Sequence, residues 1–204
     1  MPPGKAPLRT LALGLLLALG GALLASAQNP PHVERSAPRA TIALDIAWAH
    51  VTVEYGRPST RGRAIFGQEL PFDRVWRLGA DEATRLTTTA SLSIGGVEVP
   101  GGSYSLFVIP RSHTWTVIVN RIAHLWGAWN WNPAQDLGRV ELAIETLETP
   151  IDTLTLNLAP QAEREKEGSL TIAWERSQIT VPLRVLGDPP APPPPPDTKA
   201  PPPH

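Results

Sequence analysis

The chain has 204 residues, 18 Lys plus Arg against 19 Asp plus Glu, a formal charge of −1, and no cysteine. That balance excludes a typical nucleic-acid binder, which carries a basic face. The missing cysteines exclude disulfides, thiolate metal sites and cysteine nucleophiles.

Residues 1–27 read as a signal peptide. Lys5 and Arg9 give a positive start, and Leu11 to Leu24 (LALGLLLALGGALL) is an apolar run of signal-core length, short of a membrane span. Ala25-Ser26-Ala27 offers small residues at the positions a signal peptidase reads, which places cleavage between Ala27 and Gln28. An uncleaved anchor is the alternative. The expected location is periplasmic or extracellular, with no membrane span after cleavage, and no cysteine follows to carry a lipid. Lys5 and Arg9 leave with the leader while all 19 acids stay, so 16 cations face 19 acids and the mature charge is −3. Residues 28–36 are expected to be a short disordered lead, 37–186 the folded domain and 187–204 a disordered tail.

In the folded part the dominant period is two, the mark of half-buried strands. Ile42, Leu44 and Ile46 alternate with polar or small residues, as do Val51, Val53 and Tyr55. Leu92 and Ile94 run into Gly95-Gly96 and then Val97 and Val99, a two-residue hairpin signal. Tyr104 to Ile109 is apolar on both faces apart from Ser105, which reads as a central strand, and Trp115 to Val119 follows. Further strands are expected at 140–144, 154–158, 170–174 and 179–185, with Pro182 hinting at an edge. A helical turn is expected near Pro133 to Leu137, where Asn132 suits a cap and Pro133 a first helical position. The sum is an all-β antiparallel β-sandwich of about ten short strands, or else a barrel of the same strands. Its long irregular connections are two. The tail, GDPPAPPPPPDTKAPPPH, cannot join a sheet interior and reads as extended polyproline. It is either a spacer toward an unidentified envelope partner or an end with no fixed partner.

The first connection follows Glu54 and holds Arg57, Arg61, Arg63, Arg74 and Arg77, with Asp73, Asp81 and Glu82 close by. The second, Arg121 to Arg139, holds Trp126, Trp129, Trp131 and Asp136. If they meet at one end of the sandwich they form a site. Several pieces have a familiar order: GRPSTRGRAIFG at 56–67, VWRLGADEAT at 75–84, IGGVEVPGGSYSLFVIP at 94–110 and WTVIVN at 115–120. With WG at 126–127 and QDLGRV at 135–140, they resemble a bacterial family known as domain of unknown function 2911, over about residues 37–185. The resemblance implies a secreted bacterial domain and brings no catalytic residues with it.

The candidate ligand-binding residues are Arg57, Arg61, Arg63, Arg77, Glu82, Trp126, Trp129 and Asp136. Arginine forks suit carboxylate or phosphate. The opposing reading is structural: a loop without a core is pinned by its own ion pairs, Arg57, Arg61 and Arg77 meeting Glu54, Asp73, Asp81 or Glu82. The tryptophans either stack on sugar rings or lie buried under a loop, and burial is the expectation because exposed indoles harm solubility. Glu82 and Asp136 are the acid candidates for a carbohydrate hydrolase, although acids beside arginines stay ionised and donate protons poorly. His50, His113 and His124 lack metal-ligand spacing, and no GxSxG elbow occurs. No metal, cofactor or catalytic residue is therefore assigned. The function expected is binding, by an exported domain with an Arg-rich loop, of a ligand (small anionic or carbohydrate) or of a partner. An envelope-carbohydrate hydrolase and a structural envelope protein are the alternatives.

Overall fold

The computed structural model describes residues 35–191, so the expected signal peptide, residues 28–34 of the lead and residues 192–204 of the tail lie outside the described residues. Ten strands follow in chain order: β1 Arg39–Ile46, β2 Ala49–Gly56, β3 Thr84–Thr88, β4 Leu92–Ile94, β5 Val97–Val99, β6 Gly102–Pro110, β7 Thr114–Asn120, β8 Asp136–Ala143, β9 Glu145–Pro160 and β10 Glu167–Val185. They form two sheets, a six-stranded one ordered β1-β2-β3-β6-β7-β8 and a four-stranded one ordered β5-β4-β10-β9. Every pairing is antiparallel. This is the expected sandwich rather than the barrel.

The period of two explains the core. In β2, Val51, Val53 and Tyr55 point inward while His50, Thr52 and Glu54 alternate outward. The β4–β5 hairpin turns at Gly95 and Gly96, both in the left-handed region (φ 57° and 94°) as a tight hairpin requires. Tyr55 crosses the layers: its hydroxyl accepts the Leu156 N–H at 3.1 Å. The expected helical turn is a 3₁₀ turn over Pro133–Gln135, with the Asn132 side chain accepting the Ala134 N–H at 3.0 Å. The expected strands at 170–174 and 179–185 are one long β10, irregular around Glu175, whose φ is 52°. Pairing of β10 with β9 ends at Gln178, so Pro182 lies beyond that ladder and costs no bond to β9. Strand β3, hidden at the end of the charged connection, had no clear signal because two of its three buried positions, Thr84 and Thr88, are polar and only Leu86 is apolar.

Strands β6 and β7 are covered on both faces. Leu106, Val108, Val117 and Val119 belong to the main core between the sheets. On the outer face Phe107 and Ile118 form a second cluster with Ala83, packed by Val75, Leu125, Ala128 and Trp131. Those covering residues come from the two irregular connections, so the connections meet over this face.

The first connection is not a loop without a core. Residues 58–60 run beside β9: Ser59 lies opposite Thr153, Leu154 N–H donates to Pro58 O at 2.9 Å and Thr60 N–H to Asp152 O at 2.8 Å. Ile65, Trp76 and Leu78 are buried in the main core. Phe66, Trp76, Trp115 and Trp174 form an aromatic cluster in which Trp76 stacks on Trp174 at 5.6 Å. Trp76 also exchanges two backbone hydrogen bonds with Val108, at 2.7 and 2.8 Å. At its far end the connection crosses the end of β2 so closely that a Cβ on Gly56 would sit 2.3 Å from Ala80 O. The expectation of a loop pinned by its own ion pairs is therefore corrected. Each buried side chain contributes about 2 kcal/mol, against about 1 kcal/mol or less for a surface ion pair, so core burial is the stronger anchor.

Candidate functional site

None of the ion pairs expected inside the first connection forms. Glu54 pairs with Arg85. Asp73 pairs with Arg111 at 2.7 Å. Asp81 accepts the Ser36 N–H at 3.0 Å and its hydroxyl at 2.8 Å. Glu82 takes Arg35 at 2.8 Å and Arg39 at 2.6 Å. Arg35 and Ser36, placed by the sequence in the lead, are thus bonded to the Asp81–Glu82 turn. Apart from Glu69, which meets Arg63, the acids of the connection are committed to the chain before β1 and to other strands, and most of its arginines are left over.

Those arginines face two clefts. The first, of about 220 Å³, is lined by Ser36, Pro38, Ser59 and by Arg57, Arg61 and Arg63, with no carboxylate in its wall among the described residues. Arg57 donates through Nε to Leu154 O at 3.4 Å. Arg63 does the same to Thr60 O at 3.0 Å, while its Nη1 lies 3.4 Å from Glu69. Arg61 sits in left-handed backbone (φ 51°), and its N–H reaches Asp152 at 3.3 Å. Among the described residues neither Arg57 nor Arg61 has a carboxylate partner. Tethering through Nε fixes the direction of a guanidinium and leaves its terminal N–H groups to bind.

The second cleft, of about 230 Å³, lies where the two connections come together. Arg74, Arg77 and Trp76 line it from the first, Ala128 and Trp129 from the second. Arg77 is half-buried, and its Nε has no hydrogen-bond partner among the described residues. Burial lowers its pKa against the opposing pull of Asp81. The two connections are also joined directly: Glu82 lies opposite Trp126, Ala83 N–H donates to Leu125 O at 2.8 Å, and Gly127 N–H to Asp81 O at 2.9 Å.

A third cleft, of about 350 Å³, has Arg35, Arg39, Arg85, His124 and Trp126 in its wall, but Glu54 and Glu82 line it too. Its arginines are already paired, and Arg85 also meets His124 Nδ1 at 3.0 Å. Arg35, Arg39 and Arg85 were not among the sequence candidates. Arg85 stood in the charged stretch, whereas nothing local pointed from Arg35 or Arg39 to an acid more than forty residues away.

The remaining candidates divide. Trp129 is 83% exposed and Trp126 40%, so the expected burial fails for both; only Trp131 turns inward. The Asp136 side chain is 7% exposed and accepts from Asn120 at 2.8 Å, Trp131 Nε1 at 3.0 Å and Arg139 at 2.8 Å. It holds the second connection together and has no free lone pair aimed at a cleft. Glu82 is held ionised, chiefly by hydrogen bonding from Arg35, which puts its pKa below the usual carboxylate range despite partial burial. Both acids suit anchoring better than proton donation. Among the described residues no group of three His, Cys, Asp or Glu is placed to hold a metal ion, and no helix is long and apolar enough to cross a membrane.

The family model described as "Protein of unknown function (DUF2911)" matches residues 37–183, and the chain belongs to that family. Comparison with curated proteins and with solved structures gave no match.

Proposed function

We propose that this chain is an exported domain that binds a small anion, phosphate-like or carboxylate-like, without transforming it. The observation that carries this reading is the cleft lined by Arg57, Arg61 and Arg63, with no carboxylate in its wall among the described residues. Of the three guanidinium groups around the opening only Arg63 has a carboxylate partner, Glu69, so Arg57 and Arg61 repel one another and a bound anion relieves that repulsion. Planar forks supply two parallel donors to each carboxylate or phosphate, which gives direction as well as charge. The cleft is smaller than the roughly 300 Å³ at which ordinary ligand pockets begin, which favours a small anion or one anionic group of a larger molecule. Export rests on the leader, with its apolar Leu11–Leu24 core and Ala25-Ser26-Ala27.

Isothermal titration with inorganic phosphate and with succinate tests the binding. One of the two is expected to bind, and Arg57→Gln and Arg61→Gln should each weaken it about 10-fold, the worth of one charge-assisted hydrogen bond. Absence of binding by both anions, or unchanged affinity in both variants, rejects the reading. For export, a mature N-terminus at Gln28 is expected when the chain is produced in a bacterium with an intact export system; an intact Met1 in a cytoplasmic fraction rejects it.

A further inference from the structure

The second cleft differs in chemistry from the first. It joins two cations to the most exposed indole among the described large apolar residues, Trp129 at 83%. Trp129 does not stand alone: Pro71, Val75 and Ala128 line the same cleft, and an aromatic and apolar lining with a few charged groups is the composition of a ligand groove. The ring is also supported from beneath. A Cβ on Gly127 would lie 3.7 Å from its fused-ring atoms, so the indole lies over the open side of Gly127. The segment that carries it is anchored on both sides, by the Gly127 N–H to Asp81 O bond at 2.9 Å and by Trp131 Nε1 to Asp136 at 3.0 Å.

Arg77 completes the argument. Its Nε is buried without a hydrogen-bond partner among the described residues, and no carboxylate lines the cleft it faces. Arg74 is exposed on the same wall and has no carboxylate partner among the described residues either. A partly desolvated cation without an ion-pair partner, with Asp81 near but not bonded to it, is costly, and an anionic ligand group offsets that cost. The pKa of Arg77, pushed down by burial, is in line with this.

We infer that the cleft between Arg77 and Trp129 is a second binding site, for an acidic saccharide of the uronate class. The pyranose stacks its apolar C–H face on the open indole, and its carboxylate meets Arg77 with Arg74 at the rim. The cleft, about 230 Å³, takes a single ring and is open to solvent, as a chain of sugars running outward needs. An aromatic acid satisfies the charge equally but prefers an enclosed slot, which this exposed indole does not offer. The site is independent of the Arg57–Arg61–Arg63 cleft and goes beyond simple anion binding.

The test is isothermal titration of the whole chain with tri-galacturonate, with maltotriose, benzoate and inorganic phosphate as comparison probes. Tri-galacturonate is expected to bind at least 10-fold more tightly than either maltotriose or benzoate. Trp129→Ala, a surface change that leaves the fold intact by circular dichroism, should weaken it at least 10-fold, as should Arg77→Gln. In Arg57→Gln the Trp129-dependent binding step should persist with the same affinity, which separates this site from the other. Phosphate competing fully with tri-galacturonate, benzoate binding as tightly, or equal affinity in Trp129→Ala overturns the proposal. So does the absence of tri-galacturonate binding at millimolar concentration.

Discussion

The two irregular connections solve the same problem in opposite ways. The first sends Ile65, Trp76 and Leu78 into the main core and crosses β2 at Gly56, so its charged residues carry little of the anchoring. The second adds only Leu125, Ala128 and Trp131 to a small outer cluster and depends on one carboxylate, Asp136, to hold it. The difference teaches which polar groups are available. In a segment fixed by burial, arginines are spare; in a segment fixed by a hydrogen-bond hub, the acid at the hub is not. A list of charged residues would have ranked Asp136 with Arg61, and the structure separates them.

Four substitutions break or sharpen that contrast, measured by urea denaturation unless stated. Trp76→Ala should be the most damaging, at about 4 kcal/mol, because it opens a cavity in the aromatic cluster. A loss below about 1 kcal/mol would show that the first connection is not core-anchored. Asp136→Ala should cost about 3 kcal/mol, since it leaves Asn120 and the Trp131 indole N–H without their acceptor. Hydrogen exchange should speed up selectively over residues 121–135, and uniform exchange would contradict the hub.

Glu82→Gln should cost about 1 kcal/mol, as a partly exposed carboxylate with two arginine partners. The sign of its pH dependence follows from the depressed pKa of Glu82. Its contribution is present in full above the ordinary glutamate pKa and disappears as pH falls through the lower folded value. Wild type and Glu82→Gln should therefore converge in stability on acidification; a gap that persists in acid contradicts the assignment. Arg61→Gln should change stability least, within about 0.5 kcal/mol. A larger loss would mean that Arg61 is structural after all and not spare.

Much of the fold was legible because strands advertise themselves locally. Val51, Val53 and Tyr55 alternate; Gly95-Gly96 marks a hairpin; and the two-faced apolar run of β6 correctly placed it inside the sheet, between β3 and β7. The grouping of the candidate residues was half legible. Arg57, Arg61 and Arg63 do share a cleft, and Arg77 and Trp129 share another. What could not be read was pairing across distance. The Ile65 and Phe66 N–H groups are taken by Glu175, more than a hundred residues on, and Glu82 by Arg35 and Arg39. Isolated apolar residues such as Trp76 and Leu78 have no period to betray them, because each enters the core from irregular backbone. Leu78 does so with a φ of 53°, a conformation that no propensity argument would assign to leucine.

Strand β9 is the outer strand of the smaller sheet. A strand in that position presents unpaired backbone groups to any other chain, which makes it a template for aggregation. Residues 58–60 occupy part of that rim through Leu154 N–H to Pro58 O and Thr60 N–H to Asp152 O. The segment that displays the arginines is therefore also an edge guard. Thr60→Pro, which deletes one of these donors, should give concentration-dependent growth in light scattering; a monodisperse variant would show that the rim is protected elsewhere. The proposed ligand recognition and the guarding of this edge thus fall to the same few residues, and shortening this segment to remove its charge would expose a surface that invites self-association.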